Sequence, residues 1–218
     1  FKANPGLRHG APKLSAFERA ARAALESEAK KDGFKRLRLN IWTDGHTGWI
    51  PADEWAACRR DILWKDLAGV GCYAGLDLAK VHDLSALSLL FEPSNPIFPG
   101  KWLLACRFWC PNEDIENRGR ADGVDYKSWR ERGLLTATPG ATTDFDQIER
   151  EVFQIHQAFN IKRLGYDRFL AQQLIQHCED GGIECVDVPQ TINVMGPPTA
   201  ELQRMVKAGE LYHGGHEI

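Results

Sequence analysis

The chain has 218 residues, of which 43% are hydrophobic, so it is long enough to bury a core in one or two domains. Its formal net charge of −3 excludes a protein that coats nucleic acid through a uniformly basic surface. No apolar run approaches the ~20 residues needed to cross a bilayer, and no stretch resembles a signal peptide. Its 6 cysteines contain no C-x-x-C pair, which favours buried free thiols in a reducing cytosol over a disulfide framework.

Residues 1–70 are predicted to form a helical, tryptophan-rich segment. Ser15-Ala-Phe-Glu18 is a capping-box pattern, and apolar residues then recur at helical spacing until Asp32-Gly33. Pro51 followed by two acids predicts a second helix start. The pattern then changes from helical to strand-like, so we expect a separate domain at residues 71–218.

Three short apolar runs follow, at residues 71–79, 84–91 and 101–109, with turn residues between them. Such tight connections predict an antiparallel three-stranded meander. Alternation along the first strand places Gly75 and Asp77 on one face, with open space beside the carboxylate.

Asp77 is an acid within an apolar run. Its sequence neighbours are Leu76 and Leu78, and an ionised carboxylate in apolar surroundings needs a cation or a hydrogen-bond cluster as its partner. A metal ligand is one interpretation of this residue. An aspartate that caps the turn at the end of a strand is the other.

The polar segment at residues 111–125 is predicted to be a mobile surface loop. It contains Arg118 and Arg120, which are candidates for binding DNA phosphates because long loops beside active sites often carry substrate contacts. An ordinary solvated loop is the alternative. Lys80 and Arg168 are further candidates for DNA binding.

Helices and strands alternate in the rest of the chain. The predicted elements are a helix at residues 126–132, a strand at 134–138, a helix capped by Thr143 or Asp144, a strand at 161–167, a helix at 168–178, a strand at 183–188, a helix that follows Gly196-Pro197-Pro198, and a strand from Leu211. A meander followed by such alternation predicts a ribonuclease H-like mixed α/β sheet flanked by helices. Asp167 then lies at the carboxyl end of its strand, where open α/β sheets bind ligands.

This topology predicts that two acids, Asp77 and Asp167, lie close together in the folded chain. If the strand that ends at Asp167 pairs in parallel beside the first strand, Asp77 and Asp167 lie side by side. Two carboxylates repel unless a cation bridges them, and hard oxygen ligands favour Mg²⁺ or Mn²⁺ over zinc. Two such ions about 3.5–4 Å apart would support phosphodiester hydrolysis by water, without a side-chain nucleophile.

Several motifs also give the chain a family resemblance. They are Ala3-Asn-Pro5, Leu39-Asn-Ile-Trp42, Trp49-Ile-Pro51, Gly75-Leu-Asp77-Leu-Ala79, Leu164-Gly-Tyr-Asp167-Arg-Phe169, Val188-Pro-Gln190 and His213-Gly-Gly215. In order and spacing they resemble the large terminase subunit of tailed double-stranded DNA phages, from the region after its packaging ATPase through its nuclease domain. The resemblance covers nearly the whole chain, and it implies that residues 1–70 are a linker segment between the ATPase and the nuclease domain at residues 71–218.

The resemblance implies a metal-dependent endonuclease that cuts concatemeric phage DNA into genome units during packaging. Its partners would be double-stranded DNA, the portal protein and the small terminase subunit, in the host cytoplasm and transiently at the procapsid portal. Asp77 matches the family's first-strand acid and Asp167 its second acid. Asp83 matches a frequent acid in the turn after the first strand, where it either tunes the site or only forms the turn.

Two departures from the family pattern stand out. The family's third metal-binding acid lies downstream of the His-Gly-Gly segment, so we expect a nuclease domain truncated at Ile218, and Glu217 lies too early to replace that acid. No G-x-x-x-x-G-K-[ST] occurs, so the ATPase part is absent from this chain. His213 and His216, in H-x-x-H spacing, and Asp187, at a strand end, are additional metal candidates.

Two other functions stay open. The first is a catalytically incomplete fragment that binds either DNA or the portal protein without cutting. The second is an actin-like phosphotransferase, whose fold has the same topology. The second needs a glycine-rich phosphate turn, and Leu78-Ala-Lys-Val-His82 contains no glycine.

Overall fold

The computed structural model describes residues 9–10, 13–26, 31, 33–39, 49–81, 83–113 and 115–218. The motif at residues 3–5 and most of the motif at residues 39–42 lie outside these ranges, as does His82. The chain divides into two compact units, Phe1–Trp55 and Ala56–Ile218.

The first unit is helical in its described part. Helix α1 spans Leu14–Glu26, as its apolar spacing predicts, and a π-helical turn spans Lys35–Leu39. The rings of Phe17 and Phe34 meet edge to face, with centroids 5.2 Å apart. Helix α2 spans Ala52–Ala57, which confirms the helix start predicted after Pro51.

The second unit contains a 7-stranded mixed sheet. Its strands are β1 Cys72–Asp77, β2 Ser85–Phe91, β3 Trp102–Pro111, β4 Thr136–Thr138, β5 Ile161–Tyr166, β6 Glu184–Asp187 and β7 Leu211–His213. A 3-10 turn spans Trp64–Leu67, and the helices are α3 Ile115–Asp122, α4 Tyr126–Glu131, α5 Phe145–Phe159, α6 Arg168–Asp180 and α7 Ile192–Lys207.

The strand order β4-β3-β2-β1-β5-β6 confirms the predicted topology. Strands β1, β2 and β3 form the antiparallel meander, while β5 pairs in parallel with β1 and β6 pairs in parallel with β5. Strands β4 and β7 both pair in parallel with β3, near its carboxyl and amino ends respectively. The acids predicted to meet therefore lie on neighbouring strands.

The two faces of the sheet differ in what covers them. On one face, Leu76, Leu87 and Leu164 are buried in a core that also contains Ile148 of α5 and Leu174 of α6. Side chains alternate along a strand, so the residues between these leucines point to the opposite face. That opposite face is open at the carboxyl ends of β1 and β5.

All 6 cysteines of the chain are free thiols. Cys58, Cys72, Cys110 and Cys178 are buried, and burial raises the pKa of the Cys72 and Cys178 thiols to about 12. These side chains therefore act as small apolar groups in the core.

The prediction of a loop at residues 111–125 is wrong, because helix α3 forms within this segment. Ile115 and Gly119, one helical turn apart, are its buried residues, and Ile115 packs in a small core with Cys110 and Tyr126. A Cβ on residue 119 would lie 2.5 Å from the carbonyl oxygen of Val124. The glycine that makes the segment look flexible thus permits close packing of the helix.

The last helix begins earlier than predicted. Helix α7 starts at Ile192, and Pro197 and Pro198, which were expected to precede the helix, lie inside it. Proline removes a donor to the carbonyl four residues earlier, here those of Asn193 and Val194. Both residues are exposed, so water can satisfy the two carbonyls and the helix continues.

The division between the compact units lies fifteen residues before the boundary predicted at residue 70. Leu67 is fully buried in the core of the sheet unit, and the amide of Gly69 donates to the carbonyl oxygen of Ala158 over 2.7 Å. The interpretation of residues 1–70 as a linker stays a prediction. Among the helices that the structure describes, none is long and apolar enough to cross a membrane.

Candidate functional site

A cleft of about 380 Å³ lies on the open face of the sheet. It is lined by residues from β1, β2, β3 and β5 and from the segment that leads into α7. Asp77 and Asp167 both line it. The cleft is therefore the place where the two predicted acids share one environment.

Asp77 is the last residue of β1 and pairs with Ala86 of β2. The expectation that its carboxylate lies in apolar surroundings is wrong, because the residue is exposed. Its neighbour Leu76 points to the buried face instead, since successive side chains alternate across the sheet. The carboxylate is thus open to solvent and to a ligand.

Asp167 is the residue between β5 and α6. It caps α6, with its Oδ1 accepting a hydrogen bond of 3.1 Å from the backbone amide of Phe169. The last register pair of the parallel strands joins Leu76 to Tyr166, so both acids lie one residue beyond it. Neighbouring strands are about 4.8 Å apart, which places the two backbones side by side.

Small side chains form the floor of the cleft. Gly75, Ser88, Cys106 and Gly165 all line it, and register pairs join Gly75 to Ser88, Ser88 to Cys106 and Gly75 to Gly165. A Cβ on Gly75 would lie 2.9 Å from the Ser88 Oγ, so this glycine keeps the floor low beside Asp77. Burial raises the pKa of the Cys106 thiol to about 11, so it is protonated at neutral pH.

Sequence reasoning placed Gly75 beside Asp77 but missed Ser88 and Cys106 on this floor, and it assigned no role to the residues of the rim. Val188 and Gln190, from the segment after β6, and Met195, from the first turn of α7, line the cleft. Only Val188 and Gln190 fall in a motif noted from the sequence. Helical spacing could have indicated Met195 only if the true start of α7 had been recognised.

Three of the other predicted site residues lie around this cleft without lining it. Asp83 is exposed in the turn between β1 and β2. Lys80 is exposed in the same turn, and its carbonyl oxygen accepts from the amide of Thr143 over 2.9 Å. The guanidinium of Arg168 donates to Asp187, which raises the pKa of Arg168.

Arg118 and Arg120 lie on α3, which follows the carboxyl end of β3. Arg118 lies over the ring of Tyr126, 5.6 Å from its centroid, and Arg120 is exposed and donates to Asn117 Oδ1 over 3.2 Å. Phe108 of β3 pairs with Ala86 of β2, and Ala86 pairs with Asp77 of β1. The carboxyl end of β3, and α3 after it, therefore lie at the same end of the sheet as the two acids.

A second cleft, of about 450 Å³, lies between α3 and α4. Its charged residues include Glu116 and Lys127, whose side chains form an ion pair of 2.9 Å. The two cleft acids, Asp77 and Asp167, do not line it. The two carboxylates that line it have partners within the protein, since Glu116 pairs with Lys127 and Asp125 accepts from the amide of Ser128.

The two histidines and Glu217 have partners of their own. Nδ1 of His213 accepts from the amide of Gly215 over 3.0 Å, and Nδ1 of His216 accepts from the amide of Ile218 over 3.3 Å. The carboxylate of Glu217 accepts two hydrogen bonds from Arg132, of 2.6 and 2.5 Å. None of these three residues lines the cleft with Asp77.

The residues of the cleft fit a hard divalent cation. Asp77 and Asp167 supply carboxylate oxygens in a solvent-open position, and Mg²⁺ is commonly bound by one or two carboxylates together with water. In the part of the chain that the structure describes, no group of three or more His, Cys, Asp or Glu side chains is placed to hold a metal. The donor set is thus limited to two acids.

The mixed sheet, with acids after two adjacent parallel strands, has the ribonuclease H-like fold of terminase nucleases. The crystal structure of the large terminase of bacteriophage HK97 matches 99% of the chain with a TM-score of 0.68 and 28% identity, over 44% of its own length. The family model "Terminase large subunit, endonuclease domain" matches residues 1–218. The chain belongs to this family.

Two curated relatives are similar to the chain in sequence. The terminase large subunit of Enterobacteria phage HK97 is 27% identical over 92% of the chain, and the protein YmfN of Escherichia coli K12 is 25% identical over 100%. The chain spans 39% and 49% of the lengths of these relatives.

Proposed function

We propose that this chain is a metal-dependent endonuclease domain that cuts concatemeric phage double-stranded DNA during genome packaging. The observation that carries the proposal is the register of β1 and β5, which places Asp77 and Asp167 one residue beyond the same pair, at one cleft. Family membership supports DNA as the substrate.

Asp77 and Asp167 would bind Mg²⁺ or Mn²⁺, and we propose two ions. Bound there, divalent cations would lower the pKa of a water and stabilise the leaving oxygen of a phosphodiester. The protein supplies the two carboxylates in fixed positions, one at the end of a paired strand and the other held as a helix cap. The glycines of the floor leave room for a substrate beside Asp77.

DNA would lie along the carboxyl end of the sheet. Arg118, Arg120, Lys80 and Arg168 occupy this end and would contact phosphates, which position DNA without reading its sequence. Cleavage should therefore be only weakly sequence-specific. The portal protein and a small terminase subunit are the proposed protein partners, in the host cytoplasm and at the procapsid portal.

A second candidate function is a fragment that docks DNA or the portal without cutting. The observation in its favour is that the described residues offer two acids and no third ligand for a metal. Both functions predict DNA binding, so only a cleavage measurement separates them.

Nicking of a supercoiled plasmid with Mn²⁺ and with Mg²⁺ tests the proposal. We expect Mn²⁺-dependent nicking by the wild-type chain that is lost in Asp77→Ala, while DNA binding in Ca²⁺ is retained. DNA binding without nicking would support the docking function instead. Hydrolysis of ATP without nicking would support the actin-like phosphotransferase and overturn both.

A further inference from the structure

The end of β6 holds the junction between β5 and α6. Tyr166, the last residue of β5, pairs with Asp187, the last residue of β6. The amide of Val188 then donates to the carbonyl oxygen of Tyr166 over 2.8 Å. The backbone that immediately precedes Asp167 is therefore fixed from the β6 side.

A side-chain contact extends this attachment past Asp167. Nε of Arg168 donates to Oδ2 of Asp187 over 2.8 Å, and a second guanidinium nitrogen donates to the same oxygen. The Asp187 side chain is only 22% exposed, whereas that of Arg168 is 73% exposed. The carboxylate is thus the fixed member of the pair, and it holds the first residue of α6.

Asp167 lies between these two attachments. Tyr166 precedes it and Arg168 follows it, and its own carboxylate accepts from the amide of Phe169. Loss of the Arg168–Asp187 contact would free the first turn of α6, and with it the carboxylate orientation of Asp167. We propose that Asp187 is a positioning residue that acts through Arg168 to hold the Asp167 carboxylate for metal binding, which rests on the proposed function.

The same two strands provide a matched control. Nε of Arg163 on β5 lies 2.8 Å from Oε1 of Glu184 on β6, and these residues form the first register pair of the two strands. Their side chains are 59% and 57% exposed. This ion pair has the same chemistry and joins the same strands, but it lies at the end away from Asp167.

The test compares Asp187→Asn with Glu184→Gln in the full chain. Mn²⁺ binding is measured by calorimetry, and hydrogen exchange of the Phe169 amide is measured by NMR without metal. We expect Asp187→Asn to weaken Mn²⁺ binding at least about tenfold, as is typical when a partner of a metal ligand is removed. The Phe169 amide should exchange faster in Asp187→Asn, whereas Glu184→Gln should leave both measurements unchanged.

A double variant separates positioning through Arg168 from a direct role of Asp187. Arg168→Gln should reproduce the effect of Asp187→Asn, and the double variant should be no worse than either single one, because one contact is removed in all three. Additive losses would overturn the proposed route through Arg168. Equal behaviour of Asp187→Asn and Glu184→Gln in both measurements would overturn the positioning role itself.

These outcomes are independent of cleavage. A wild-type chain that binds Mn²⁺ through Asp167 without nicking DNA would contradict the proposed endonuclease and leave the positioning role supported. A chain that binds no Mn²⁺ would contradict the proposed metal site, and the Phe169 amide would then decide alone whether Asp187 orders the first turn of α6.

Discussion

The two faces of the central strands use alternate residues of the same sequence for different purposes. On the closed face, Leu76, Leu87 and Leu164 are buried against α5 and α6. On the open face, the same strands present small residues such as Gly75, and the acid Asp77. Stability and chemistry are thus assigned to residues one position apart, so substitutions on the two faces should have separable effects.

The largest expected effect on cleavage comes from the acids of the open face. Asp77→Asn and Asp167→Asn should each reduce Mn²⁺-dependent cleavage by more than about 100-fold, since losing a ligand should cost more than losing a partner of one. The unfolding temperature should stay constant or rise, because each change relieves carboxylate repulsion and Asn also caps helices well.

Plasmid nicking and thermal unfolding of the same samples check this prediction. Glu217→Gln is the control, because that carboxylate is paired with Arg132 and does not line the cleft. Near-full nicking by either aspartate variant would contradict its assigned role. A large loss in Glu217→Gln would show that the site extends beyond the cleft.

Leu89→Ala tests the closed face. This side chain is fully buried, and deleting it should lower the free energy of unfolding by about 2–5 kcal/mol. Cleavage per folded molecule should change little, because the site lies on the other face. Urea denaturation gives the stability change, and nicking well below the denaturation midpoint gives the activity. A loss of cleavage comparable to that of Asp77→Asn would contradict the claim that the two faces affect stability and cleavage separately.

Gly75→Ala should moderately reduce both the stability of the fold and the rate of DNA cleavage. The new Cβ would lie 2.9 Å from Ser88 Oγ, and such overpacking costs about 1–3 kcal/mol. Cleavage should fall about tenfold or more, because a shifted substrate beside Asp77 reacts slowly. Adding Ser88→Ala should restore the free energy of unfolding by removing the clash, without restoring cleavage. If the double variant recovered cleavage as well as stability, Gly75 would matter only for the stability of the fold.

The smallest effect concerns pH and involves no residue of the cleft. Burial, together with the charge of Arg107, lowers the pKa of His216, whose ring lies tilted by 50° against that of Phe108 with centroids 5.1 Å apart. The unfolded chain binds a proton at this imidazole more readily than the folded chain does, so stability should fall as the pH drops below about 6.5. Unfolding midpoints at pH 7.5 and 5.5 should differ less in His216→Phe than in the wild type.

The sheet and its two acids were predictable because their signals are local or topological. Short apolar runs with tight turns specify a meander, and the helical spacing from Phe145 to Phe159 specifies a helix that needs a sheet to cover. Once the strand before Asp167 is placed in parallel beside β1, Asp77 and Asp167 must lie at the same end of neighbouring strands. The structure confirms the topology and shows that both acids line one cleft, while their role as metal ligands stays a prediction.

The remaining parts of the site depend on packing that local patterns do not contain. Ser88 and Cys106 reach the cleft floor through cross-strand register, which a shift of one residue would reverse. Met195 reaches the rim because α7 forms despite Pro197 and Pro198. Local propensity alone argues against that helix start.

The helix-capping contact of Asp167 and its proposed role as a cation ligand together restrict which residues its position can accept. As a helix cap, the side chain must be short enough for its oxygen to reach the amide of Phe169, which excludes glutamate. In its proposed role as a cation ligand, a charged carboxylate would bind Mg²⁺ or Mn²⁺ more strongly than the neutral oxygens of asparagine, serine or threonine. The capping contact and the proposed ligand role together favour aspartate, so an engineered change of metal preference is better directed at the surrounding glycines and Met195.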